Sequence, residues 1–440
     1  MDKIIITYEN SGVTVDEIAA VGKRLQPEIE RVNQACATGY ESDYASINLP
    51  ADAGALRAIH EVLTAKKKLR PTLLLLIGMG GSSLGTIALL STLKGSFFNE
   101  TSPDTQFYCA DTVDPDYIEQ LVFLVERTLR NHARVLIVVA SKSGTTVETT
   151  VNFEIFLSLL KKYKPDTYAD CVVVITDHGS ALWQLASAQQ FTALAVPKQV
   201  GGRYSVFSPI GLFPLGMLGV DIDELLAGAK MAVDVCTGMD IQTNSAALTA
   251  AILFLQYKQG YTIHDLFLFG TDLKDLGRWY QQLVAESVAK EYDRTGNRVE
   301  AGITPTVSIG TTDLHSLAQL HLGGRRDTFS SFVFVKEGAE LPIPRLQEFS
   351  SMPEAVHDIS VADLFHAIGD GVMQAYIASK RPFIKIEINK KNSWDLGYFM
   401  QYKMIEIMYL GFLMDVNPFD QPNVELYKQK TREILSHESK

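Results

Sequence analysis

The chain has 440 residues, with 51 acidic and 40 basic side chains giving a formal net charge of −11, and with 46% hydrophobic and 21% charged residues. That length exceeds the range in which one core keeps growing, so two domains are expected, and the composition is that of a globular body, not of a disordered or fibrous chain. The acidic balance excludes a nucleic-acid or anionic-membrane surface as partner, while a small anion remains accessible to locally placed N–H groups and a few cations.

Cys36, Cys109, Cys171 and Cys236 are widely spaced and form no C-x-x-C pair. Neither a zinc site nor a disulfide framework is suggested, and inert thiols in a reducing compartment are expected. The first thirty residues carry scattered acids, not a basic region leading an apolar core, so no signal peptide is expected. No apolar run approaches the ~20 residues of a spanning helix. A cytoplasmic location is the simplest expectation.

Residues 1–50 mix amphipathic and polar stretches, with a helix expected over Val15–Ala35, and form an N-terminal helical extension. From Thr72 short continuous apolar runs begin: Thr72–Ile77, Gln106–Cys109, Arg134–Ala140, Cys171–Thr176 and Phe191–Val196, with helical periodicity between most of them. Such runs fit strands buried on both faces of a parallel sheet. After a helical spacer near 222–260 comes a second series, Leu266–Phe269, Val307–Ile309, Phe332–Val335 and Phe383–Ile388. The expected organisation is α/β: an extension over 1–50, two consecutive parallel-sheet domains over 51–220 and 221–400 with helices on both faces, and a helical tail over 401–440. Ligands of such sheets lie beyond the carboxyl ends of the strands.

Two segments stand at that place. Gly78-Met-Gly-Gly81-Ser82-Ser83-Leu-Gly85 follows the first run and precedes an apolar helix. Its glycines permit close backbone approach to an anion at a helix start, although a plain strand-to-helix turn has the same look. It fits neither a dinucleotide fingerprint, which wants glycine at Ser83, nor a P-loop, which wants lysine at Thr86. Ser141-Lys142-Ser143-Gly144-Thr145-Thr146 repeats the arrangement after Arg134–Ala140 with hydroxyls and an ammonium. Hydroxyls suit the three acceptor oxygens of a phosphomonoester, and the bland alternative is a Ser/Thr-rich helix cap with Glu148 in its first turn. The two loops together resemble the sugar-isomerase module, a flavodoxin-like α/β unit that binds phosphosugars.

Further along, Gly201-Gly202-Arg203-Tyr204-Ser205 offers a cation on a pliant backbone, suited to a developing oxyanion or to a structural ion pair. Leu273–Lys290 reads as a helix with Leu276, Trp279, Tyr280 and Leu283 on one stripe. Glu286 falls at the margin of that stripe one turn after Gln282, where partial desolvation raises carboxylate basicity, though a solvated helix glutamate is the commoner case. His315 lies in Thr311-Thr-Asp313-Leu-His315-Ser316 at another strand's carboxyl end, with Asp313 able to orient it and His321 as its nearest competitor. The last constellation, Asn417-Pro-Phe-Asp420-Gln421-Pro-Asn-Val-Glu425-Leu-Tyr427-Lys428, is a turn entering the C-terminal helix.

Taken together and in this order, these segments resemble the phosphoglucose isomerase family in its shorter bacterial form, over essentially the whole chain. The Gly-Gly-Arg-Tyr-Ser and Phe-Asp-Gln-x-x-Val-Glu-Leu-x-Lys segments carry the likeness most specifically. The resemblance implies reversible aldose-ketose isomerisation of glucose 6-phosphate and fructose 6-phosphate through a cis-enediol, without metal or redox cofactor. It implies Glu286 as base, His315 and Lys428 as ring-opening pair, and Arg203 as the group facing the enediol. Gly81, Ser82, Ser141, Lys142, Ser143, Thr145 and Thr146 would hold the phosphate, and Gln282 and Gln421 would contact the sugar. It further implies a homodimer in which His315 reaches the neighbouring subunit's site. The chain departs from the family pattern at Ser83, where an acid or aromatic is frequent, at Tyr427, where glycine is frequent, and at Val284-Ala285 ahead of the base, where glycine is common. No departure removes a reacting group. The rivals are another sugar-phosphate isomerase, a sugar-phosphate sensor without chemistry, and, more distantly, a dinucleotide-dependent dehydrogenase.

Overall fold

The computed structural model describes residues 4–101, 104–344, 354–356 and 359–437. Twelve strands are present among them: β1 Ile5–Thr7, β2 Leu73–Ile77, β3 Gln106–Ala110, β4 Val135–Ala140, β5 Val172–Asp177, β6 Thr192–Val196, β7 Ile263–Phe269, β8 Lys290–Tyr292, β9 Arg298–Ala301, β10 Thr304–Gly310, β11 Thr328–Val335 and β12 Phe383–Ile388. They form two five-stranded sheets, ordered β3-β2-β4-β5-β6 and β1-β12-β11-β7-β10, and a β8–β9 hairpin. The first sheet is parallel throughout, and the second is parallel except for β1, which pairs antiparallel with β12 through Ile5 and Glu387.

The all-apolar runs explain the burial. Strands β2 and β4 are buried at every position. Leu74, Leu76, Leu136 and Val138 feed the core on one face, while Leu73, Leu75, Ile77, Val135, Ile137 and Val139 feed the core on the other. That is the period of two of a strand covered on both sides. The order places the switch point of the first sheet between β2 and β4, whose following loops begin at Gly78 and Ser141, and that of the second between β7 and β11. Ligands of open α/β sheets bind at such points. Among the described residues no helix is long and apolar enough to cross a membrane.

The helix Ser393–Leu413 is buried almost all round and carries a polar cluster into the core. Lys403 Nζ donates to Glu406 Oε1 and Oε2 at 3.1 and 2.8 Å, and Tyr280 and Tyr402 donate to the same carboxylate at 3.1 and 3.2 Å. His264 stands beside them, its Nδ1 3.3 Å from Tyr280 Oη and its Nε2 2.8 Å from Ser331 Oγ. Burial, and then the Lys403 ammonium, hold the His264 pKa down at about 3. A free histidine titrates near ~6.5, so as pH falls below that value the unfolded chain binds a proton that the folded one refuses. Stability therefore falls from about pH 6.5 down toward about pH 3, by about 2 kcal/mol at about pH 5 from this group alone. Melting curves of wild type and His264→Asn across that range check it: the variant should lose stability on acidification less steeply than the wild type, and parallel curves would contradict the assignment.

Candidate active site

The loop after β2 passes through a tight turn at Gly80–Ser82 into the helix Leu84–Lys94, and the loop after β4 enters the helix Val147–Tyr163. Because β2 and β4 are neighbours, the loops lie side by side: a Cβ on Gly78 would stand 3.1 Å from the Ala140 carbonyl oxygen. Gly80 and Gly144 have φ of +54° and +67°, a region that favours glycine. Ser141 Oγ accepts from Gly144 N at 3.2 Å and donates to Thr146 Oγ1 at 3.4 Å, while Ser143 and Thr145 share a hydrogen bond of 2.9 Å. None of these hydroxyls caps the helix, whose N-cap Thr146 makes no side-chain capping bond. The first-turn N–H groups and their positive dipole end are thus left for an anion. The Lys142 ammonium is part-buried beside Asp177 and Lys198, and burial lowers its pKa.

Gly81 brings the second element in. A Cβ there would fall 2.2 Å from the Gly202 carbonyl carbon, so the two backbones touch, and Ser205 Oγ donates to Gly81 O at 3.3 Å. The contact delivers Arg203, only 2% exposed, to the helix Lys274–Val288. All five guanidinium N–H groups are used. Nε donates to Ser287 Oγ at 2.8 Å, Nη1 to Glu286 Oε2 at 3.2 Å and Gln421 Oε1 at 2.7 Å, and Nη2 to the Pro418 and Asp420 carbonyls at 2.5 and 3.1 Å. Glu286 is 32% exposed at its side chain. Its other oxygen accepts from Gln282 Nε2 at 3.0 Å, and Gln282 in turn lies 3.0 Å from where a Cβ of Gly80 would be. The carboxylate is held at both oxygens at the rim of the glycine loop.

The tail completes the enclosure. Phe419 packs edge-on against Tyr44 at 4.7 Å and lies 5.9 Å from the Tyr204 ring, fixing the turn that leads into the helix Val424–His437. That helix covers the hydroxyl loop and leaves a cavity of about 550 Å³ lined by Ser143, Thr145, Thr146, Glu148, Tyr427 and Lys428, among others. Lys428 Nζ donates to Glu425 at 2.7 Å on the cavity wall.

His315 is placed apart. It ends the turn Thr312–His315 beyond β10, exposed and without a hydrogen-bond partner among the described residues. Asp313 does not orient it: that carboxylate accepts from Ile309 N at 2.7 Å and from Ser316 Oγ at 2.9 Å, turning back to close the strand end. His321 is buried, 3.3 Å from Ser308 Oγ and 3.8 Å from Asp265, which is the surrounding of a core histidine.

Comparison with known proteins accords with this arrangement. The sequence pattern described as Phosphoglucose isomerase matches residues 64–440. The chain belongs to the phosphoglucose isomerase family. It is similar to the glucose-6-phosphate isomerase of Lactiplantibacillus plantarum, at 30% identity over 410 residues covering 90% of this chain and 88% of that one. Similarity to the enzyme of that name from Carboxydothermus hydrogenoformans is 30% over 371 residues, covering 82% and 78%. Among solved structures it superposes on a hypothetical protein from Thermus thermophilus with a TM-score of 0.86 at 28% identity, covering 98% and 99% of the two chains. A glucose-6-phosphate isomerase from Chlamydia trachomatis gives a TM-score of 0.83 at 21% identity, over 100% and 90%, and shares the fold.

Of the residues singled out in this chain, Arg203, Glu286, Gln282 and Gln421 meet directly, and Gly81 is the contact that lets them meet. Ser82, Ser141, Ser143, Thr145, Thr146 and Lys428 ring the adjoining loops and cavity, while His315 stands outside. Two residues escaped notice. Ser287 is fully buried and joins Arg203 to Tyr204, whose hydroxyl is 3.0 Å away. Lys290, at the start of β8, buries an ammonium against the Glu286 carbonyl. Its spacing of one helical turn from Glu286 was the available signal. The cysteines are free, and Cys109, Cys171 and Cys236 are buried, which raises their thiol pKa values.

Proposed function

We propose that this chain interconverts glucose 6-phosphate and fructose 6-phosphate, with Glu286 carrying a proton between C2 and C1 through a cis-enediol. The observation that supports this best is a carboxylate held by Arg203 and Gln282 at the mouth of two anion-ready loops. The phosphate would lie on the hydroxyl loop and Ser82, so that binding energy far from the reacting carbons fixes their orientation. Proton transfer leaves negative charge on the enediol oxygens, and Arg203 is the buried cation at hand. Since its five donors are occupied in the free protein, it would reach that oxygen by exchanging Gln421 or Glu286 for substrate. Lys428 would serve ring opening together with His315.

Within one chain, among the described residues, His315 is not a hydrogen-bond or ion-pair partner of Glu286, which is held by Arg203 and Gln282. We therefore assign it to the site of a second copy in a homodimer. Mixing inactive Glu286→Gln with inactive His315→Ala protein should regenerate activity in mixed dimers, and its absence after subunit exchange would remove this assignment.

The function itself is tested by supplying fructose 6-phosphate with a chelator and following formation of the aldose. Glucose 6-phosphate should accumulate at an undiminished rate. Accumulation of a different aldose phosphate, or binding measured calorimetrically without turnover, would overturn the reading.

A further inference from the structure

The ammonium of Lys290 makes three hydrogen-bond or ion-pair contacts, matching its three protons. Nζ donates to the Glu286 carbonyl at 2.6 Å and the Asp420 carbonyl at 2.5 Å, and lies 3.2 Å from Asp420 Oδ1. The side chain is 5% exposed, and burial lowers its pKa, with Asp420 opposing. One end of this bridge is the main chain of the very residue assigned as base. The other is the turn that presents Gln421 to Arg203 and continues into the helix of Lys428.

A charge this deeply placed is expensive unless its partners are fixed. Here the partners belong to two elements with no secondary structure in common, the end of the helix Lys274–Val288 and the turn before Val424–His437. Asp420 O is shared, taking Lys290 from one side and Arg203 from the other. The turn is therefore pinned between two buried cations, and through Lys290 its position is tied to that of the Glu286 backbone.

We infer that Lys290 is a positioning residue for the isomerisation, coupling the Glu286 end of its helix to the tail that carries Gln421 and Lys428. The inference rests on the proposed role of Glu286. Lys290 touches no reacting atom and acts by fixing the distance between the base and the tail, and small misplacements of that kind cost about 10²-fold in rate.

The test is Lys290→Met, compared with Lys290→Arg, which keeps charge and donors, and with Glu286→Gln in the same assay. Lys290→Met should lower kcat about 10²-fold with a much smaller change in KM, since the phosphate loops themselves lie on other elements although the tail helix borders them. Lys290→Arg should recover a large part of kcat. Independently of activity, trypsin should cut Lys290→Met within the helix Val424–His437 faster than wild type, while the rest of the chain stays resistant. A folded Lys290→Met protein with wild-type kcat and an equally resistant tail would overturn the inference. So would a loss of kcat that tracks loss of melting temperature and that arginine does not recover. If wild type fails to isomerise, or Glu286→Gln is fully active, the reading of the site fails instead, and tail cleavage alone still decides whether Lys290 anchors the tail.

Discussion

Replacing Glu286 by Gln lowers kcat by about 10²–10⁴-fold, the range general acid–base catalysis supplies, and leaves KM close to its wild-type value. The amide preserves the shape of the side chain. It can still accept from Gln282 or Arg203 through its oxygen, so the loop, helix and tail should remain in place. What it cannot do is take a proton from carbon. Steady-state kinetics on fructose 6-phosphate, with a melting curve as control, separate the two effects. Turnover near the wild-type rate in the folded variant would exclude Glu286 as the base.

The second large effect belongs to Arg203. In Arg203→Lys, at most three donors replace five, so at least two of Ser287, Glu286, Gln421, Pro418 O and Asp420 O lose the donor that residue 203 gave them. Each buried acceptor left without its donor costs about 1–3 kcal/mol. Because Glu286 is 32% exposed, solvent screens part of that and the lower end is expected. Loss of a donor to a developing oxyanion costs about 10²–10³ in kcat. The melting temperature and kcat should thus both fall, whereas inhibition by inorganic phosphate should be nearly unchanged, since the hydroxyl loop keeps its own contacts. Equal losses in turnover and phosphate affinity would make Arg203 a phosphate clamp and nothing more.

The first sheet was readable because strands such as β2 and β4 are unbroken apolar runs, and the second because shorter apolar stretches recur inside mixed strands such as β7 and β11. Strand β1 was missed for the opposite reason: three residues, half exposed, pairing at an edge across a separation that no local pattern reveals. The β8–β9 hairpin was hidden because its strands are mostly polar and its first residue, Lys290, was read as the end of the preceding helix. That helix stops at Val288. Within the site, helix phase permitted Glu286 and the family resemblance selected it, but neither revealed the environment of Arg203. Its partners lie 83 residues away at Glu286 and 218 away at Gln421. Local reasoning misled at Asp313, whose position two residues before His315 suggested a pair that the chain spends on closing β10 instead.

The anchoring of the tail by main-chain oxygens has an evolutionary consequence. Every residue carries a carbonyl, so substitutions at 418 or 420 cannot delete the acceptors that Arg203 and Lys290 hold. Side-chain changes at those two positions therefore leave these docking bonds in place. Shortening is a different matter. A chain ending before Pro418 would take three acceptors from Arg203 and two contacts from Lys290 at once, so a nonsense mutation there should be eliminated first as a folding defect, whatever part Lys428 plays.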